Sequence, residues 1–255
     1  MIRINFVFNS VCRSSSSCLC GGGIMNAKRN PTIIVDDRTF LRILIKTHII
    51  TDKDDIVKVV EGYTRDVRQK GDMIAVSEKV TAITQGRAIP EEKIRISLLA
   101  RILWRFVRKV PYGIGLRSPA TMQCAINECG RVRILAAAII GTFSKIIGRK
   151  GDFYRIAGMQ AATIDAAHTS PVPPYDQCVV LGPKNPGSVA QSIRERTGCE
   201  TAIMDVNDIG GSWAIGYSAG IDKKIIESAM KDNPFGQGKE LTPICLIREQ
   251  NLANM

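Results

Sequence analysis

The sequence has no apolar run long enough to cross a bilayer. Its longest, Ile134 to Phe143, falls well short of the roughly 20 residues a spanning helix needs, and Arg131, Arg133 and Lys145 flank it. No membrane span is expected, while a helix lying on a surface stays open. Cysteine and histidine at zinc-finger spacing are lacking, and so is any basic motif interleaved with aromatics, which leaves little to support a nucleic-acid module. No acidic residue occurs before Asp36. The first 24 residues instead carry Arg3, Arg13, the serine run Ser14 to Ser17 and three glycines at Gly21 to Gly23. That composition resembles a targeting leader, yet Asn5 and Asn9 interrupt its apolar part. Residues 1–24 therefore read as a disordered leader or as a misassigned start, with Met25 the true beginning and 25–255 the folded unit.

What is present bounds the rest. With 45% apolar content over 255 residues, the chain can bury a core and form one domain or two intertwined subdomains. Of its eight cysteines, Cys12, Cys18 and Cys20 fall in the leader, and Cys124, Cys129, Cys178, Cys199 and Cys245 are scattered through apolar runs. Such spacing reads as buried thiols in a reducing, cytoplasmic setting. The net charge of +11 fits nucleic acid, acidic lipid or a phosphorylated small molecule equally well, or simply a solvated basic surface. The missing motifs make a nucleic-acid partner unexpected and the absence of a spanning run makes a membrane partner unexpected, while composition leaves the choice between an anionic small molecule and a solvated surface open.

The stretch from Asp165 to Asp205 organises the chain. Cys178 to Leu181 is a short apolar run that reads as a buried strand. Asn185 and Pro186 place an N-cap and a first-turn proline, Val189, Ala190 and Ile193 follow at helical spacing, and Gly198 stands where a C-cap belongs. Thr201 to Met204 is a second apolar strand, delivering Asp205, Asn207 and Asp208 ahead of Gly210 and Gly211. The expectation is an α/β or α+β fold with mixed sheets and a central β-α-β unit, its carboxylates at a strand exit where open sheets hold ligands. Upstream, Thr32 to Val35, Ile43 to Ile45 and Met73 to Val76 read as strands. Thr51 with Asp54 gives a helix-start signature, and Ile56, Val60, Tyr63 and Val67 share one face of a helix that Gly71 ends. Ser77 and Lys79 at the exit of Met73 to Val76 suit a phosphate, or plainly a capped helix with a surface lysine.

Those residues also carry a family resemblance. Gly71 to Lys79 and on to Gln85-Gly86-Arg87 is similar to the "GD, apolar strand, SK…EGR" segment of the coenzyme F420-0:L-glutamate (gamma-glutamyl) ligase family. Val179 to Pro186 resembles its "LLPEDPD" turn, Ala202 to Asp205 with Ala214 to Ile221 its "ITDT…VAIG…AGI" block, and Asn233 to Arg248 its "MGEG…PVVVIR" tail. The four occur in the family's order, in patches from about Thr32 to Arg248.

The resemblance implies a dimeric enzyme that joins L-glutamate to a deazaflavin precursor through an amide bond, using GTP and Mg2+ or Mn2+. Carried over by position, it implies metal ligands at Asp165 and Asp205, with Asp208 or Asn207 replacing a family threonine that is Val206 here. It implies nucleotide contacts at Ser77, Lys79, His168 and the loop Gly236-Gln237-Gly238-Lys239, where Gln237 replaces a metal-binding glutamate. Ile83 stands at a second basic position, Lys46 to Ile49 replace an "LPEI"-type contact, and the region 101–155 has no clear counterpart. The plain alternatives are a turn cap for Asp165, turn formers for Asp205 and Asp208, and an ordinary turn for Gly236 to Gly238. The same departures fit a non-catalytic relative that binds nucleotide or partner.

Overall fold

The computed structural model describes residues 24–25, 30–107, 115–146, 148, 151–208 and 211–250. The leader expected over 1–24 lies outside the described residues up to residue 23, and Gly210 lies outside them too. The chain opens with β1 (Ile24–Met25), β2 (Thr32–Val35) and β3 (Arg38–Ile45), then runs through α1 (Ile56–Thr64), β4 (Met73–Ser77), α2 (Glu78–Thr84) and β5 (Ala88–Pro90). A helical stretch follows: α3 (Leu98–Leu103), α4 (Pro119–Cys129), α5 (Arg131–Ile146), α6 (Asp152–Ala157) and α7 (Met159–Ala162). The chain ends in β6 (Cys178–Val180), α8 (Pro186–Thr197), β7 (Glu200–Val206), β8 (Ser212–Tyr217), α9 (Lys223–Ala229) and β9 (Ile244–Gln250).

The main sheet has seven strands in the order β1-β3-β9-β4-β7-β8, with β2 also on β3. Its one parallel pair is β4 with β7; the other pairings are antiparallel. Because side chains alternate along a strand, each central strand feeds two cores. Ala75, Ala202, Met204, Cys245 and Ile247 face α9, where Ile225, Ile226, Ala229 and Met230 are buried. Ile74, Val76, Ile203, Ile244 and Leu246 face α1 and α8 through Ile56, Val60, Ala190 and Ile193. A further apolar cluster gathers α3 to α7 around Leu116, Met122 and Ile134 and takes in Val179 and Leu181.

The mixed α/β fold is as the sequence leads one to expect, with one rearrangement. Strand, helix and strand follow one another from Cys178 to Val206, yet β6 pairs antiparallel with β5 in a separate two-stranded sheet. The parallel neighbour of β7 is β4 instead, so the crossover in the main sheet spans the whole helical stretch. Pattern marks a strand but does not say which edge it joins. Helix ends differ as well. Thr51 and Asp54 form a turn closed by the Thr51 N–H and hydroxyl donating to Asp54 Oδ2 at 2.7 and 2.9 Å. The N-cap of α1 is Asp55, accepting from Val57 N at 2.9 Å, and Val67 lies beyond the helix. Asn185 precedes α8 as expected but sits in the left-handed region without a side-chain cap, while Gly198 closes the helix at φ +74°.

Candidate functional site

Register explains why distant segments meet. Val76 and Ile45 both stand opposite Ile244, and Ser77 stands beside Met204. The ends of β3, β4 and β7 and the start of β9 thus share one edge of the sheet. Backbone bonds tie the segments there: Ser77 N donates to Pro243 O at 2.9 Å, and Thr47 N donates to Leu241 O at 2.9 Å. Asp165 arrives from elsewhere, held by a two-way bridge with Val180 in which Asp165 N donates at 2.8 Å and Val180 N at 3.0 Å. Strand exits in a parallel pair are where open sheets expose backbone and side chains to a ligand.

A cleft of about 480 Å³ opens at this edge, a size suited to a small-molecule site. Of the residues singled out by sequence, Ser77, Lys79, Asp165, Asp205, Gly236, Gln237 and Gly238 line it. Lys79 Nζ lies 2.9 Å from Asp165 Oδ2. The Glu240 carboxylate folds against the 236–238 loop, where a Cβ at Gly238 would come within 2.5 Å of Glu240 Oε2 and displace that side chain. Gly236 also adopts φ +77°, which side-chain-bearing residues rarely take.

Glu78 also lines the cleft, and the sequence reading passed over it. A glutamate in the first turn of α2 reads as a residue favoured by the helix dipole. Only the fold shows that this side chain turns inward beside Asp205 and Asp165. Its Oε2 is buried and has no hydrogen-bond partner. Burial, then the neighbouring charges of Asp205 and Asp165, raise its pKa well above the usual carboxylate range, with Lys79 opposing. Burial and Asp165 likewise raise Asp205 to about 6, again against Lys79. Thr47 and His48, from the segment that replaces the "LPEI"-type contact, line the cleft as well, with the His48 ring 2.8 Å from the Tyr63 hydroxyl.

Three expected positions are not among the lining residues. Asp208 is exposed, and its Oδ1 accepts from Asn233 Nδ2 at 2.8 Å. His168 is exposed at φ +66°, with Nε2 3.9 Å from Glu91. Lys239 is exposed as well. Asn207 lines the cleft, but its Oδ1 accepts from Gly211 N at 2.9 Å, and beside it Val206 offers an apolar wall.

The described lining therefore sets the carboxyl groups of Glu78, Asp165 and Asp205 against a single lysine. Among the described residues no three His, Cys, Asp or Glu side chains are gathered tightly enough to hold an ion as they stand. Lys79 occupies one oxygen of Asp165 meanwhile. The donor chemistry nonetheless suits a hard divalent cation, which takes oxygen ligands, and the orphaned Glu78 oxygen is the group such a cation would satisfy.

Fold and site together define a class: a mixed-sheet α+β protein with an acidic cleft, overlooked by a glycine loop, at the exits of its parallel strands. The chain belongs to the F420-0:Gamma-glutamyl ligase family, whose model matches residues 44–249. That span contains all the cleft segments. A comparison with curated proteins found no match.

Proposed function

We propose that this chain is a GTP- and divalent-metal-dependent ligase that joins the amine of L-glutamate to a carboxylate acceptor, a coenzyme F420 precursor or another acid. The observation that carries this reading is the convergence of Glu78, Asp165 and Asp205 with Lys79 in one cleft at the strand exits. A cleft so acidic repels a polyphosphate unless cations accompany it. Mg2+ or Mn2+, when bound, would screen the triphosphate charge and polarise the transferring group. Asp165 and Asp205 would hold it, and Lys79, released from Asp165, would turn to the phosphates. The backbone of Gly236 to Gly238, together with Ser77, would steady the nucleotide from the facing walls.

The reaction balances in two transfers. An oxygen of the acceptor carboxylate takes the γ-phosphoryl group and GDP leaves; the glutamate amine then attacks the acyl phosphate, losing a proton and expelling inorganic phosphate as the amide forms. The expected result is GDP release that depends on both glutamate and acceptor and falls at least 100-fold in Asp205→Asn. A second reading is favoured by Val206 and Gln237, which put no anionic ligand at the positions they occupy. On that reading the chain binds nucleotide without turnover. Nucleotide binding with no GDP released across a panel of carboxylic acids supports it over the ligase.

A further inference from the structure

Most of the chain's basic excess falls in one stretch of its sequence. From Leu98 to Gly151 the sequence has ten lysines and arginines and one acidic residue, Glu128, a balance of +9 within a chain total of +11. The cleft walls, by contrast, are acidic. A second anionic partner is called for elsewhere.

Helix α5 lies within that stretch and is apolar on two sides. Ile134 and Ala137 face the core. On the opposite side Val132, Leu135, Ile139 and Phe143 recur at helical spacing and are exposed, Val132 by 83% and Phe143 by 67%. At about 100° per residue, Arg131 and Arg133 stand on either side of this stripe. Both are exposed, Arg131 without a side-chain partner among the described residues and Arg133 with its Nε donating to Ile156 O at 2.8 Å, and α5 has no acidic residue. An outward apolar stripe of this kind needs a cover.

We propose that the outward face of α5 seats in the headgroup layer of an anionic phospholipid bilayer. Charge decides the occupant. A second copy docked face to face about a two-fold axis would set Arg131 and Arg133 against their own counterparts in an already basic region, whereas acidic headgroups neutralise them. A nucleic acid would meet the charge but gain nothing from Leu135 and Phe143. The helix is about 24 Å long at 1.5 Å per residue, short of the bilayer core, and its inner face is committed to protein, so it would lie in the plane of the interface. No helix among the described residues is long and apolar enough to cross a membrane. This replaces the expectation of no membrane partner and is independent of the ligase reading.

The test is co-sedimentation of the full chain with vesicles of phosphatidylcholine alone and with about one third phosphatidylglycerol, a fraction chosen to give a clearly negative surface potential. Binding to the anionic vesicles only is expected, weakened at least tenfold by the pair Leu135→Gln and Phe143→Gln and reduced by high salt. These residues are exposed, so far-UV circular dichroism should match the parent. Should the pair fail to fold, Phe143→Trp gives a direct readout: its fluorescence above the parent background should be quenched by brominated anionic lipid. Absence of binding to anionic vesicles, equal binding by the folded glutamine pair, no quenching, or a self-association that the glutamine pair abolishes would each overturn the proposal.

Discussion

Asp205 carries a cost that pH can reveal. Its carboxyl is held at about 6, against an ordinary 3.8, chiefly by burial and secondarily by Asp165. The native state therefore binds this proton more tightly than the unfolded chain does. The associated stability is present below about pH 4, is lost as pH rises towards 6, and stays lost above. Asp205→Asn removes the charge, so the variant should exceed the parent by about 1–2 kcal/mol at pH 7.5, allowing for solvent relaxation, with the gap closing towards pH 4.5. Urea unfolding at the two pH values measures this; an equal difference at both would contradict it. Arg248 illustrates the opposite case. Its guanidinium pairs bidentately with Asp72, whose side chain is 1% exposed, at 2.8 Å on both oxygens. Arg248→Ala strands a buried carboxylate and should cost about 3 kcal/mol, read as a lowered urea midpoint. At this scale the sequence singled out Asp165, Asp205 and Lys79 by position and resemblance, and the fold brings the three to one cleft. Glu78 stayed hidden because a helix-initial glutamate usually faces water, whereas here its carboxyl is buried beside Asp205 and Asp165.

Among the elements, strands and helices were legible where periodicity is strong. β4, β7 and α8 stand where apolar runs or helical spacing put them. What pattern could not disclose is partnership: β6 has the apolar run of a central strand but joins β5. Nor could it disclose close approach. A Cβ on Gly216 of β8 would lie 2.3 Å from the backbone carbon of Pro186 and 2.4 Å from Gly187 N at the start of α8. Backbone cannot rotate aside as a side chain can, so Gly216→Ala should push α8 off the sheet at a cost of about 1–3 kcal/mol. Thermal unfolding of that variant against Gly187→Ala, whose added Cβ meets nothing within 4 Å, checks it; equal midpoints would show that the contact is soft.

Across the molecule, charge is divided. Acidic groups collect in the cleft at the end of the main sheet, while most of the basic excess falls, along the sequence, between Leu98 and Gly151. Composition alone gave the sum of +11 without its division, because three carboxylates set far apart in sequence converge only through the register of β4, β7 and the Asp165 bridge. Under the proposed function, this division is the reason a protein so basic would still take a metal together with its nucleotide. The most direct measurement is a thermal-shift titration of GTP with and without Mn2+, since a ligand bound only by the native state must raise its melting temperature. GTP should raise the midpoint only when Mn2+ is present, and Asp205→Asn should lose that response while remaining folded. A GTP shift of equal size without the metal, or one that survives Asp205→Asn, would contradict the account.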